Sequence, residues 1–209
     1  MTFILGLTGS IGMGKSTTAS LFRERGIPVH DSDAVVHALY EGKAAPLIEA
    51  AFPGTTKNGA VDRSLLAQQV IGNEAAMKRL EAIIHPLVRA EEQKFLAQCK
   101  AQSVPLAILD IPLLFETKAD ARCDAVLVVT TDYSVQKARV LSRPGMTEEK
   151  FDAILVRQTP DSEKRQRADF LIETGYGIDD AARQVDAVLE TLAERFQKTG
   201  SKGLHRRDS

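Results

Sequence analysis

A glycine-rich segment near the N-terminus has the residue types that bind phosphate. Residues 9–16 read GSIGMGKS and match the pattern G-x-x-x-x-G-K-[ST]; they follow an apolar run and precede a helical pattern, as this motif requires. Glycines let successive backbone N–H groups turn inward around phosphate oxygens, and the helix that follows directs its positive end at the same anion. Lys15 is placed to reach the β- and γ-phosphates, and Ser16 to bind the Mg²⁺ that bridges them. The segment predicts binding of a nucleoside triphosphate.

Acidic residues end two of the predicted strands. The second strand ends in His30-Asp31-Ser32-Asp33, at the carboxyl edge where open α/β sheets bind ligands. Alternate residues of an extended segment point the same way, so Asp31 and Asp33 can share one face. Either acid can accept the proton of an attacking hydroxyl or cap the next helix, and Asp33 is the better candidate for a base. Asp110 ends another apolar strand, where it supports the metal or forms a turn.

A late helical segment carries a third group of polar side chains. Gln136, Arg139 and Arg143 are spaced i, i+3 and i+7, which places them on one face of a helix. Arg157 lies on the next helical stretch. Arginines on a closing lid can neutralise the charge of a phosphoryl group in transfer, and solvated surface arginines are the alternative.

The elements that position these residues follow a βαβ order. Short apolar runs alternate with helical patterns, which is typical of a parallel sheet. We expect an α/β fold with five strands, at residues 3–7, 27–30, 106–110, 125–130 and 169–172. Helical periodicity fills the remainder and, with the phosphate loop, predicts one P-loop domain. Its parts are a core (1–33, 103–133 and 168–197), a helical substrate-binding insertion (34–102), a helical lid (134–167) and a basic disordered tail (198–209).

Composition excludes several other classes of protein. The 209 residues include 27 Lys and Arg against 28 Asp and Glu, a formal net charge of −1, so there is no global field to gather nucleic acid or an anionic membrane. No stretch reaches the roughly 18 apolar residues of a membrane span. Cys99 and Cys123 are too few for a disulfide framework in a chain of this length. We expect a cytoplasmic protein, monomeric or weakly homo-oligomeric, that binds neither nucleic acid nor membrane.

Missing motifs narrow the class of nucleotide-binding protein. The chain lacks the D-x-x-G turn and the N-K-x-D guanine reader of a GTPase, and it is too short for the larger ATPases. A small kinase remains. One alternative is a nucleoside monophosphate kinase, for which Arg63, Arg79 and Arg89 could clamp a monophosphate. Another is a sensor that binds ATP without turnover, against which the acid pair argues.

Taken together and in order, the motifs resemble one family, the dephospho-coenzyme A kinases. The segments that carry the resemblance span residues 2–195 and are LGLTGSIGMGKST (5–17), DSD (31–33), IHPLV (84–88), DIPLLFE (110–116), Gln136-x-x-Arg139-x-x-x-Arg143, Arg157-Gln158 and Ala168-Asp169. The resemblance implies transfer of the γ-phosphoryl group of ATP to the ribose 3′-hydroxyl of dephospho-coenzyme A, the last step of coenzyme A biosynthesis. Ser32 stands where the family usually has Ala, and Thr174 where an Asn-containing turn is usual, which leaves the adenine contacts open.

The resemblance also implies roles for individual residues. ATP would be held by Gly12, Met13, Gly14, Lys15, Ser16 and Thr17. Transfer would be assisted by Asp33 as base together with Lys15, Arg139 and Arg143. The acceptor would contact Asp31, His85 and Arg157, and Mg²⁺ would contact Ser16 and Asp110. Because His85 precedes a proline, we expect it to leave helical geometry and mark a bend, where it either contacts substrate or caps the break.

Overall fold

A five-stranded parallel sheet lies at the centre of the molecule. The computed structural model describes residues 2–203. Its main strands are β1 (Phe3–Thr8), β2 (Val29–Asp31), β5 (Leu106–Asp110), β6 (Ala125–Thr130) and β7 (Phe170–Glu173), and they lie in the order β2-β5-β1-β6-β7. Every pairing in this sheet is parallel. The structure confirms the predicted fold class.

Helices cover the sheet and form the connections between its strands. A short antiparallel hairpin joins two two-residue strands, β3 (Thr56–Lys57) and β4 (Ala60–Val61). The helices are α1 (Lys15–Glu24), α2 (Ser32–Tyr40), α3 (Ala45–Ala51), α4 (Arg63–Val70), α5 (Glu74–Ala101), α6 (Tyr133–Leu141), α7 (Glu148–Leu155), α8 (Asp161–Gln166) and α9 (Ile178–Gly203).

The sheet is buried on both faces, as its continuous apolar strands require. Every residue of β5 and of β6 is buried. One face packs against α1 and α9 through a cluster that includes Leu7, Phe22 and Leu192. The other face forms a second cluster with the segment that follows β5. This packing fixes the carboxyl ends of β1, β2 and β5 side by side, since Asp110 pairs with Leu7 on one side and with Asp31 on the other.

The predicted insertion has a hydrophobic core of its own. Buried side chains from α2 to α5, among them Leu39, Phe52 and Leu80, form a cluster separate from those of the sheet. The β3–β4 hairpin was not among the predicted elements, because strands of two residues leave no periodicity to detect. Asn58 and Gly59, which connect its strands, both have positive φ, and an Asn-Gly pair between short strands is the usual signal for such a turn.

The predicted break at His85 is wrong. Helix α5 runs without interruption from Glu74 to Ala101 and includes Pro86 in its interior. A proline removes one helical hydrogen bond and disfavours helical geometry before it, but burial on both sides overrides that preference. Ile84 is buried in the core of the insertion, and Phe95 and Leu96 pack against the second cluster of the sheet.

The C-terminal helix is longer than expected. Helix α9 extends to Gly203, six residues past its predicted end at Gln197. Once a helix has formed, each added residue gains a hydrogen bond at little further cost, so the helix can continue beyond its apolar face. The rest of the predicted disordered tail, residues 204–209, lies outside the described residues. Within residues 2–203, no helix combines the length and the hydropathy that a membrane crossing demands.

Candidate active site

The glycine-rich loop connects β1 to α1 and walls a cavity. Gly14 caps α1 and contributes no side-chain hydrogen bond to it, so the first N–H groups of the helix are available to an anion. The loop lines a cavity of about 380 Å³, together with Lys15, Ser16 and Thr17 of α1. Asp33, Pro112, Arg143 and Gln158 are among the residues on its other walls.

Two glycines of the loop are required by their surroundings as well as by their backbone angles. Gly12 has φ +80, and a Cβ placed on it would lie 2.5 Å from Cγ2 of Val140 in α6. Gly14 has φ +90, and its Cβ would lie 3.0 Å from Oγ1 of Thr174. The loop is therefore pressed between α6 and the segment after β7, with no room for side chains at these positions.

Lys15 is held by the acid at the end of β5. Its Nζ lies 2.5 Å from Oδ1 of Asp110, whose side chain is only 2% exposed. Burial raises the pKa of the Asp110 carboxyl, and the Lys15 ammonium opposes that rise. The structure thus places Asp110 against the lysine. Its contact holds Lys15 on the cavity wall, and support of the metal by Asp110 stays a prediction.

The donor set fits a magnesium ion that arrives with its nucleotide. The Ser16 side chain is exposed on the cavity wall. In the described part of the chain, no three His, Cys, Asp or Glu residues cluster in a way that could hold a metal. Mg²⁺ usually takes one or two protein ligands, substrate phosphates and water rather than a protein cage. These residues therefore suit an ion shared with bound phosphates.

The expectation that Asp31 and Asp33 share an extended face is wrong, because helix α2 already begins at Ser32. Asp31 is the N-cap: its Oδ1 accepts a hydrogen bond of 3.0 Å from the Ala34 N–H. Asp33 lies in the first turn of α2, is exposed, and lines the cavity opposite the loop. Only Asp33 of this pair lies beside the phosphate loop with a free carboxylate.

The predicted lid arginines and His85 of the insertion lie in different surroundings. Arg139 binds Thr174, donating to its hydroxyl at 2.9 Å and to its carbonyl at 2.7 Å. Arg143 is exposed and lines the cavity, and its guanidinium makes no hydrogen bond or ion pair with residues 2–197. Arg157 and His85 are exposed and do not line it. Arg143 is thus the predicted lid arginine that the structure brings to the loop and Asp33.

A second cavity lies on the other side of the loop. It also measures about 380 Å³ and shares Gly12, Gly14, Thr17 and Arg143 with the first. Its other walls come from Arg139, Thr174 and the start of α9. The shared residues show that the two cavities adjoin each other at the loop.

Comparisons with known proteins agree with this geometry. The model of one protein family, described as dephospho-CoA kinase, matches residues 3–180. The chain belongs to the dephospho-CoA kinase family. The dephospho-CoA kinase of Rhodopseudomonas palustris (strain BisB18) is 58% identical over 195 residues, which cover 93% of this chain and 98% of that protein. That of Mesorhizobium japonicum is 60% identical over 189 residues, covering 90% and 96%.

A solved structure is also similar to this chain in three dimensions. The crystal structure of a Thermus thermophilus protein superposes on this chain with a TM-score of 0.81 at 36% identity, covering 91% of this chain and 98% of that one. Membership of the dephospho-CoA kinase family confirms the resemblance drawn from the ordered motifs.

Three contacts of this dephospho-CoA kinase family member were absent from the predicted site. Gln136 and Gln158 each hydrogen-bond the backbone of Ile11, and Thr174 hydrogen-bonds the Met13 carbonyl at 2.8 Å. Gln136 shares a helix face with Arg139 and Arg143, which was a signal that it belongs to the site. Gln158 and Thr174 lie in segments that the resemblance singled out, but their contacts were not predictable because their partners are distant in sequence.

Proposed function

We propose that this protein transfers the γ-phosphoryl group of ATP to the ribose 3′-hydroxyl of dephospho-coenzyme A, giving coenzyme A and ADP. One observation carries the chemistry: the phosphate loop and the free carboxylate of Asp33 line the same cavity. An acid therefore stands beside the position of a bound triphosphate. Family membership supports the choice of acceptor.

The loop and α1 bind the phosphates in this proposal. Backbone N–H groups of residues 12 and 14–17 surround the anion, since the Met13 N–H donates to the Ser10 carbonyl, and Lys15 adds a positive charge that Asp110 orients. The second cavity takes the adenine and ribose, since it opens from the same glycines. Mg²⁺, held by the Ser16 hydroxyl and the phosphates, would supply charge neutralisation.

Asp33 and Arg143 act on the reacting groups. The Asp33 carboxylate accepts the proton of the attacking 3′-hydroxyl. Arg143 balances the negative charge of the transferred group and need break no hydrogen bond or ion pair with residues 2–197 to do so. Arg139 was predicted to act in the same way, but its contacts assign it to Thr174. We propose that it supports transfer by holding the wall shared by loop and nucleotide.

The insertion and the lid provide the acceptor side. Residues 34–102 have a separate hydrophobic core, which supports their proposed role as an acceptor-binding unit. Asp31, His85 and Arg157 remain proposed acceptor contacts, which require the bound acceptor or a moved lid. The free thiols of Cys99 and Cys123 support the proposed cytoplasmic location. We further propose a monomer or weak homo-oligomer acting on small molecules.

The test is ATP consumption by the full chain with dephospho-coenzyme A, compared with nucleoside monophosphates and with shikimate. We expect turnover with dephospho-coenzyme A and a product phosphorylated at the 3′ position. Turnover with only a monophosphate or shikimate would overturn the proposal. ATP binding without ADP release in any mixture would instead indicate a sensor that binds ATP without turnover.

A further inference from the structure

Ile11, at the tip of the phosphate loop, is held from the lid through both of its backbone polar groups. The Ile11 N–H donates a hydrogen bond of 3.1 Å to Oε1 of Gln158. The Ile11 carbonyl accepts a hydrogen bond of 2.8 Å from Nε2 of Gln136. Gln136 lies on α6, and Gln158 lies just beyond α7, so two separate parts of the lid converge on one residue.

The contact between α6 and the loop is close packed. Gln136 is only 3% exposed, so its amide has no alternative partner in solvent. A Cβ on Gly12 would meet Val140 at 2.5 Å and the backbone carbonyl of Gln136 at 3.0 Å. The present path of the loop needs the space that α6 leaves beside Gly12, and α6 can pack this closely only because residue 12 has no side chain.

The shape of the loop depends on which groups its backbone carbonyls are hydrogen-bonded to. An anion cradle turns N–H groups inward, which directs carbonyls outward into the protein, where an unpaired one is costly. The Ile11 carbonyl is paired with Gln136. The Met13 carbonyl accepts from the Thr174 hydroxyl at 2.8 Å, and that hydroxyl accepts from Arg139 of α6 at 2.9 Å. Both carbonyls are thus satisfied by groups tied to α6.

The Ile11 N–H, like the Met13 N–H that donates to the Ser10 carbonyl at 3.1 Å, is bound by the protein. Because it donates to Gln158, it is directed at the lid and is not offered to a phosphate. Gln158 also lines the cavity, so it contacts the loop at the boundary of the ligand space. Movement of the end of α7 would release this N–H and free the loop to change its path.

We propose that Gln136 and Gln158 are positioning residues that fix the phosphate loop from the lid, so that ATP affinity depends on how the lid is seated on Ile11. The inference rests on the proposed function, because it assigns the loop to ATP. In this proposal the lid affects nucleotide binding through the two glutamines, whether or not their side chains touch the nucleotide. Loss of either glutamine acts on ATP through the loop backbone.

The test compares Gln136→Met, Gln158→Met and the double variant, in which methionine keeps the length of the side chain and removes its hydrogen bond. Gln197→Met is the matched control, since Gln197 is exposed near the far end of α9. Equilibrium titration with ATP gives Kd without any acceptor. We expect each single variant to weaken ATP binding about 10-fold, and the double variant about 30-fold rather than the product of roughly 100-fold, because both act on one residue.

Amide hydrogen exchange of Ile11 gives a readout that a general loss of stability does not produce. In Gln158→Met we expect exchange at Ile11 to accelerate at least about 10-fold, with the amide of Leu109 in β5 unchanged. An unchanged Ile11 amide, an unchanged ATP Kd in both single variants, or a fully multiplicative double variant would each overturn the proposal. Should Gln136→Met fail to fold, Gln158→Met still decides. A wild-type protein that binds ATP but ignores dephospho-coenzyme A would refute the proposed function and leave this test intact.

Discussion

The phosphate loop and the reacting side chains are built in opposite ways. The loop is bound throughout by the protein: Ile11 and Met13 are paired with side chains, and Lys15 lies on Asp110. Asp33 and Arg143, on the facing walls, are exposed and make no side-chain hydrogen bond or ion pair with residues 2–197. The proposed binding surface is thus formed without its ligand, while the two proposed reacting groups are left exposed on the cavity walls. Such preorganisation lowers the reorganisation needed during reaction.

Loss of a reacting group should cost the most in rate and little in affinity. Asp33→Asn removes the proton acceptor, and we expect kcat to fall about 1,000-fold with the ATP Kd nearly unchanged. Single-turnover phosphoryl transfer and ATP titration measure the two quantities. Comparable activity in the variant would remove Asp33 as the base. Asp31→Asn tests the neighbouring acid. Because Asn is also a good N-cap residue, we expect kcat to fall less than about threefold, and a larger fall would place Asp31 with the acceptor.

Substitutions of the two lid arginines should have different kinetic effects, because Arg143 faces the cavity and Arg139 is bound to Thr174. Arg143→Met removes an unpaired cation from the cavity, so we expect kcat to fall about 100-fold. Arg139→Met releases Thr174, so we expect the ATP KM to rise about 10-fold with a smaller change in kcat. Steady-state kinetics with both substrates separates these effects. The reverse pattern would mean that Arg139 leaves Thr174 and acts on the phosphoryl group.

A change within the loop should lower affinity and stability more than the rate of transfer. Gly12→Ala introduces a Cβ beside Val140 and requires φ +80 of an alanine. Gly26→Ala is the matched control, because Gly26 has φ +74 and nothing within 4 Å of its Cβ position. Backbone strain costs about 1–2 kcal/mol in either variant, and overpacking adds about 1–3 kcal/mol in Gly12→Ala.

Denaturant unfolding and ATP titration measure the difference between these variants. We expect Gly12→Ala alone to weaken ATP binding, by about 10-fold. Equal unfolding free energies for Gly12→Ala and Gly26→Ala would show that α6 yields, and the close approach would then not shape the loop.

Local signals in the sequence were sufficient to predict the strands and the phosphate loop of this site. The strands are predictable because they are buried apolar runs, and the loop because its glycines, Lys15 and Ser16 have fixed spacing. The sequence favoured Asp33 over Asp31 as the base, but it did not show which acid caps the helix, since a carboxylate after a strand suits both roles. The start of α2 at Ser32 makes Asp31 the cap and places Asp33 in the first turn.

Long-range partners explain the rest of what sequence could not predict. Arg139 lies 35 residues from Thr174, and Gln158 lies 147 residues from Ile11. No spacing rule connects such positions, because tertiary packing brings them together. The helical state of His85 has a similar origin, since burial on either side of Pro86 outweighs a local preference.

Pro86 gives the molecule a mechanical property. Helix α5 has 28 residues, roughly 42 Å at 1.5 Å per residue, and acts as a beam between two separately packed bodies. Its first half is anchored in the insertion by Leu80 and Ile84, and its second half in the main body, where Glu92 pairs with Arg122 at 2.8 Å. The hydrogen bond that Pro86 cannot donate lies inside the stretch that packs on the insertion, since Leu87 and Val88 also contact that core, so the insertion braces the helix where its own bonding is weakest.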